Sequence, residues 1–206
     1  MSPKRFLKTY ALLLAGLLLA GCGSPAPRIA PLGPDAVVLA FGDSLTYGHG
    51  AKEQESYPAV LERLTGRTVI NAGVPGEVTR QGRMRLPGLL DEHRPDLLLL
   101  CHGGNDMLKK LGDDQAAGNL QYMIDAARQR GIDVVLIGVP RPGLVLSTAQ
   151  FYADVAKRNN IACEEGIVTD ILASGALKSD YIHPNAAGYR RMAEAVFALL
   201  REEGAL

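Results

Sequence analysis

From Ala36 onward the chain alternates short apolar runs with longer stretches in which apolar residues recur every three or four positions. The runs cover 36–41, 68–72, 96–101 and 132–139, each bounded by polar or turn residues. Uninterrupted apolar runs of this length belong to strands buried on both faces of a parallel sheet. A weaker fifth strand begins at Ile161. Between the runs lie helices. Ser56 stands as a cap before a helix in which Tyr57, Val60, Leu61 and Leu64 share one face and Gly66 ends the turn. Residues 77–92 read as a helix interrupted by Gly82 and Pro87, residues 114–130 as a helix ended by Gly131, and residues 148–159 as another. The last helix, 186–203, buries Tyr189, Met192, Ala193, Val196, Phe197 and Leu200. Five strands with crossover helices predict an α/β fold, a three-layer αβα sandwich with right-handed connections. No internal repeat and no second domain is visible.

The residues before Ala36 follow different rules. Lys4, Arg5 and Lys8 precede an apolar run from Tyr10 to Ala20. That run falls well short of the roughly 20 residues that span a bilayer, so it reads as a secretory signal. It ends Leu19-Ala20-Gly21-Cys22, which resembles the bacterial lipoprotein signal. The resemblance implies a signal peptide over 1–21 and a lipidated Cys22 as the first mature residue. Gly23 follows where an aspartate would resemble an inner-membrane retention signal, so in a two-membrane bacterium the expectation is the outer membrane, on the periplasmic side. Several acyl chains on one residue hold a protein stably to a membrane. Residues 22–35 carry four prolines and read as an extended tether that could reach about 40 Å, leaving 36–206 as the folded domain.

Composition narrows the partners. The 206 residues fit one domain, and with 47% apolar but only 5% aromatic residues its core should be mainly aliphatic. Loss of Lys4, Arg5 and Lys8 with the signal leaves 19 basic and 22 acidic side chains, a net charge of −3 that gives no case for nucleic acid. Cys101 and Cys163 lie in or beside apolar segments and read as unpaired core thiols. No cysteine–histidine cluster has metal-ligand spacing, so neither a metal nor a cofactor is expected. The expected partners are a small-molecule or lipid ester and, through Cys22, a membrane; the expected state is a monomer.

Four islands carry candidate chemistry: Gly42-Asp43-Ser44-Leu45, Asn71-Ala72-Gly73, Gly103-Gly104-Asn105-Asp106 and Asp180-Tyr181-Ile182-His183. The first three follow predicted strands and the fourth precedes the last helix. In an open α/β sheet the carboxyl ends of the strands share one edge, where ligands bind. Acyl transfer through a serine needs a neutral imidazole to take the hydroxyl proton, a carboxylate to orient that imidazole, and preorganised donors for the tetrahedral oxyanion. Ser44, His183 and Asp180 fill the first two needs. The amides of Ser44 and Gly73 and the side-chain amide of Asn105 fill the third.

These residues resemble the SGNH (GDSL-type) hydrolases, whose serine, glycine, asparagine and histidine markers would be Ser44, Gly73, Asn105 and His183. The likeness extends through Phe41-Gly42-Asp43-Ser44-Leu45, Gly82-Arg83-Met84-Arg85-Leu86-Pro87 and Ile182-His183-Pro184-Asn185. It is strongest to the branch of bacterial acyl hydrolases with thioesterase, protease and lysophospholipase activity and to related arylesterases. The resemblance implies a flavodoxin-like sheet, Ser44 as nucleophile, His183 as base and Asp180 as its partner. Tyr181 stands where that branch often has glycine, so its ring is expected to narrow the acyl pocket. A carbohydrate O-acetyl esterase with the same triad, and a non-catalytic binding lipoprotein, are the competing readings.

Other residues have plainer expectations. No Gly-x-Ser-x-Gly elbow occurs, and Gly48-His49-Gly50 lacks the third glycine of a dinucleotide loop. Asp43 and Asp106 are expected to hold loops. His49 and His93 read as solvated, and His102 as a structural histidine. Arg80, Arg83 and Arg85 read as a solvated helix face. Residues 107–114 and 140–147 are expected to rim the substrate site.

Overall fold

The computed structural model describes residues 29–206. The signal sequence, Cys22 and the first part of the tether lie outside them. No helix among the described residues is long and apolar enough to cross a membrane.

Five parallel strands form the central sheet: β1 (Val37–Gly42), β2 (Thr68–Gly73), β3 (Leu97–Cys101), β4 (Asp133–Ile137) and β5 (Ala162–Glu164). Their spatial order is β2-β1-β3-β4-β5. β1 is therefore central, with Gly42 in register with Gly73 on one side and with Cys101 on the other. The apolar runs become strands because both faces are covered: Val38, Leu39, Ala40, Phe41 and all of Leu97–Cys101 are fully buried. Among the described residues eight α-helices connect and flank the strands: α1 (Ser44–Tyr47), α2 (Tyr57–Thr65), α3 (Thr79–His93), α4 (Gly104–Leu108), α5 (Asp113–Arg128), α6 (Gln150–Asn159), α7 (Ile167–Ala173) and α8 (Ala186–Glu202). The result is the expected three-layer α/β fold.

Two details differ from the sequence pattern. Residues 79–93 form one helix straight through Gly82 and Pro87. At Gly82 a Cβ would lie 2.5 Å from the buried ring of His102, so glycine there is a close helix–sheet contact and not a break. Ser56 does precede α2, but its side chain makes no capping bond and its hydroxyl is buried without a hydrogen-bond partner among the described residues.

The stretch assigned to the end of the tether belongs to the domain. Ile29 and Leu32 are buried in the core cluster. Ala30 N donates to Asp133 Oδ2 at 2.8 Å, Leu32 N donates to the carbonyl of Ala205 at 2.8 Å, and the Arg67 guanidinium donates to the carbonyls of Leu32 and Gly33. Proline content hid this, because the segment makes no regular element and docks through two apolar side chains and backbone bonds.

Candidate active site

The loops after β1 and β3 and the loop before α8 meet at the carboxyl edge of the sheet. Ser44 opens α1 immediately after β1, so its hydroxyl stands at the strand end. Asp43 caps that short helix, its Oδ1 accepting from Leu45 N at 3.1 Å. The cap carboxyl is fully buried, which raises its pKa above the usual carboxylate value despite the nearby donors. At the other end of the chain Asn185 caps α8, its side chain accepting from Gly188 N and donating to Ala176 O. Ser179 N donates to His183 O at 2.9 Å and closes the 179–183 loop on itself.

Within this loop Asp180 is fixed by three bonds. Its Oδ1 accepts from the amides of Ile182 and His183 at 2.8 and 2.9 Å, and its Oδ2 lies 2.8 Å from His183 Nδ1. Partial burial pushes the Asp180 carboxyl up, but the His183 and amide donors outweigh it and hold the group below its ordinary value. An ionised Asp180 can only accept, so His183 Nδ1 carries the hydrogen and Nε2 keeps its lone pair. That lone pair faces Ser44 Oγ at 3.0 Å. Residues 139 positions apart in sequence thus form one unbroken relay: hydroxyl, imidazole, carboxylate.

The two remaining predicted site residues divide. Asn105, in the first turn of α4, lines the cavity beside Ser44. Both hydrogens of its side-chain amide are already engaged: Nδ2 donates to Asp43 Oδ2 at 3.1 Å and to the carbonyl of Glu77 at 3.0 Å. Gly73 is not at the cavity. Its amide donates to Asn71 Oδ1 at 3.0 Å, and a Cβ on it would lie 2.1 Å from the backbone nitrogen of Tyr47. Gly73 serves the packing of β2 against α1, which corrects its assignment as an oxyanion donor. The glycine that lines the cavity is Gly76, at φ +79°, a conformation that glycine adopts without strain. The amides of Ser44 and Gly76 have no acceptor among the described residues. The sequence marks this glycine only through the turn pair Pro75-Gly76, three residues beyond Gly73.

Beneath Asn105 sits a buried polar cluster. His102 is 0% exposed. Its Nδ1 accepts from Gly103 N at 3.1 Å, so its Nε2 carries the hydrogen and donates to Glu77 Oε2 at 3.1 Å. Tyr152 donates to the His102 carbonyl at 2.9 Å. Arg85 grips both Glu77 oxygens at 3.0 and 2.7 Å, and its guanidinium lies over the Phe41 ring. Burial pushes Glu77 up, but the hydrogen bonds from His102 and Arg85 and the Arg85 charge prevail and hold it at about 2. Arg85 is therefore half of a partly buried ion pair and not part of a solvated face. Asp106 accepts from Thr79 N and Oγ1 at 2.9 and 2.6 Å and ties α4 to α3.

The serine opens onto a cavity of about 380 Å³. Its apolar wall includes Leu45, Leu108, Val139, Leu146, Leu172 and Ile182, so the loops after β3 and β4 form the rim that their position predicts. Tyr181 borders the cavity but is 91% exposed. Its ring stands at the mouth and does not plug the interior. Leu144 and Val145 are exposed on the rim loop after β4. Cys101 is buried, Cys163 is half-buried, and both are free thiols.

A serine relay on the carboxyl edge of a parallel αβα sandwich, beside an apolar cavity, defines a hydrolase of the acyl-transfer class. Residues 40–191 match the GDSL-like Lipase/Acylhydrolase family, and the chain belongs to that family. It is 28% identical over 199 residues to Esterase TesA of Pseudomonas aeruginosa, covering 91% of this chain and 98% of that protein. It is 28% identical over 156 residues to thioesterase 1/protease 1/lysophospholipase L1 of Escherichia coli K12, covering 72% and 75% of the two chains. The crystal structure of TesA superposes with a TM-score of 0.73 at 27% identity over 81% of this chain and 99% of that one. The chain is an esterase of this family, acting on carboxylic ester bonds.

Proposed function

We propose that the protein is a membrane-anchored serine esterase that hydrolyses medium-chain, aryl or lysophospholipid esters, and related thioesters, through an acyl-enzyme on Ser44. The observation that carries this reading is the Ser44–His183–Asp180 relay opening directly onto an apolar cavity. As Ser44 Oγ attacks the acyl carbon, His183 Nε2 takes its proton and Asp180 stabilises the imidazolium. The carbonyl oxygen becomes an oxyanion, received by the amides of Ser44 and Gly76 and by one Asn105 hydrogen redirected from Asp43 or Glu77. His183 then protonates the departing alcohol or thiol. Water, deprotonated by the same imidazole, releases the acid and restores Ser44.

The cavity volume lies within the range usual for small-molecule sites, and its aliphatic wall suits an acyl chain better than a sugar ring. The lipoprotein-like signal supports anchorage through Cys22 in the cell envelope. A fluorophosphonate probe tests the chemistry: stoichiometric labelling of Ser44 is expected, and failure to label it overturns the reading. Hydrolysis of p-nitrophenyl octanoate, p-nitrophenyl acetate and acetylated sugars tests the substrate class. Preference for octanoate supports the acyl esterase; preference for acetylated sugars makes it a carbohydrate esterase.

A further inference from the structure

The acyl-transfer machinery leaves one neighbouring side chain without a task. The ring of His49 lies beside that of His183, with centroids 4.4 Å apart and planes at 52°. Neither ring nitrogen of His49 has a hydrogen-bond partner among the described residues. One ligand atom each from His49, Asp180 and His183 fall within 4.8 Å of one another.

This grouping is built into the backbone. His49 N donates to Ser44 O at 3.0 Å, and the Tyr189 hydroxyl donates to His49 O at 2.8 Å. The next residue, Gly50, packs directly on the loop that carries the other two groups. A Cβ there would lie 2.1 Å from Ser179 Oγ and 2.8 Å from the Pro184 carbonyl. The two loops form one wall, and His49 cannot drift away from His183 without breaking these contacts.

We propose that His49, Asp180 and His183 bind a borderline transition-metal cation, zinc or copper(II), and that binding switches the enzyme off. The switch-off rests on the reading of His183 as the general base; the binding does not. Two imidazoles and a carboxylate suit zinc and copper, whereas calcium and magnesium demand oxygen ligands. Ligand atoms sharing one zinc ion at bonds of about 2.1 Å stand at most about 4.2 Å apart. A small rotation of the exposed His49 side chain closes the difference. If His183 binds through Nδ1, the ion displaces the proton shared with Asp180, which passes by way of solvent to Nε2 and fills the lone pair that faces Ser44. If it binds through Nε2, the ion occupies the lone pair that takes the Ser44 proton. Either way the imidazole can no longer act as a base.

The test uses ZnCl2 as the probe, in a Cys163→Ser background that removes the half-buried thiol. Ester hydrolysis is titrated with zinc in that protein and in its His49→Gln and His93→Gln variants, each scored against its own metal-free rate. The expected result is chelator-reversible inhibition whose half-inhibiting concentration rises at least about tenfold in His49→Gln, a tenfold step being about 1.4 kcal/mol, and stays put in His93→Gln. Copper(II) should inhibit at lower concentration than zinc, and magnesium not at all. Zinc calorimetry on Ser44→Ala, with and without His49→Gln, reads binding without turnover. Weaker zinc binding without His49 supports the site even if the Ser44 mechanism fails. Equal zinc affinity, or equal inhibition, with and without His49 overturns it.

Discussion

Glu77 is joined to the catalytic edge through both of its acceptors: its side chain takes a hydrogen bond from His102 Nε2 at 3.1 Å, and its carbonyl takes one from Asn105 Nδ2 at 3.0 Å. Gly76 precedes it in the chain. One residue therefore ties the turn that carries a candidate oxyanion amide, through its carboxylate, to the side chain that supplies another, through its carbonyl.

Protonating Glu77 should loosen that turn, and its folded-state value sets where. Held at about 2 against an ordinary 4.5, the carboxyl contributes stability that is whole above about pH 4.5 and is lost as the pH falls towards 2. The contribution is on the order of 3 kcal/mol. Urea denaturation at stepped pH should show a steep decline of stability over that window in the native protein and a flatter one in Glu77→Gln. Identical slopes would remove Glu77 from this role.

Asp180→Asn should leave the fold intact and lower kcat by roughly 10⁴-fold, because an amide facing His183 Nδ1 no longer enforces the tautomer that leaves Nε2 free. Steady-state kinetics beside a circular dichroism melt will separate lost activity from lost structure.

Asn105→Ala should cost about 10²–10³ in kcat with little change in KM, the pattern for one lost oxyanion donor. The side chain also bridges Asp43 and Glu77, so a lower melting temperature should accompany it. A KM effect alone would assign Asn105 to substrate binding.

Leu146 is partly buried and faces the cavity, so Leu146→Trp should shorten the acyl chain the cavity accepts. The ratio of kcat/KM for octanoate over acetate esters should fall by about tenfold or more, the scale of discrimination that one or two methylenes supply in an apolar pocket. An unchanged ratio would place the acyl chain elsewhere.

The sheet was legible because its strands are buried on both faces and so appear as unbroken apolar runs; every one of the five lies where its run predicts. Ser44, Asn105, Asp180 and His183 were legible because strand ends and a helix start converge on one edge in this topology. Gly73 reads as the oxyanion glycine in the sequence while Gly76 lines the cavity, because the direction of each amide is set by contacts such as Asn71 Oδ1 and the Tyr47 backbone, which leave no local mark in the sequence. Glu77 and His102 carried no local signal, since their partnership links β3 to the start of α3. His49 carries no signal of its own in the sequence, because its neighbourhood arises from the 48–50 turn packing on the 179–184 loop. Gly82 shows the same limit: a glycine in a helical pattern reads as a break unless the ring it makes room for is known.

The chain enters the domain at the amino end of the strands. Ala30 is bonded to Asp133 at the start of β4, and Arg67, just before β2, clasps Leu32 and Gly33. Ser44 stands at the opposite pole. A protein attached to a bead, a particle or a bilayer by its upstream end would therefore present its catalytic face outward, like a cup held by its base.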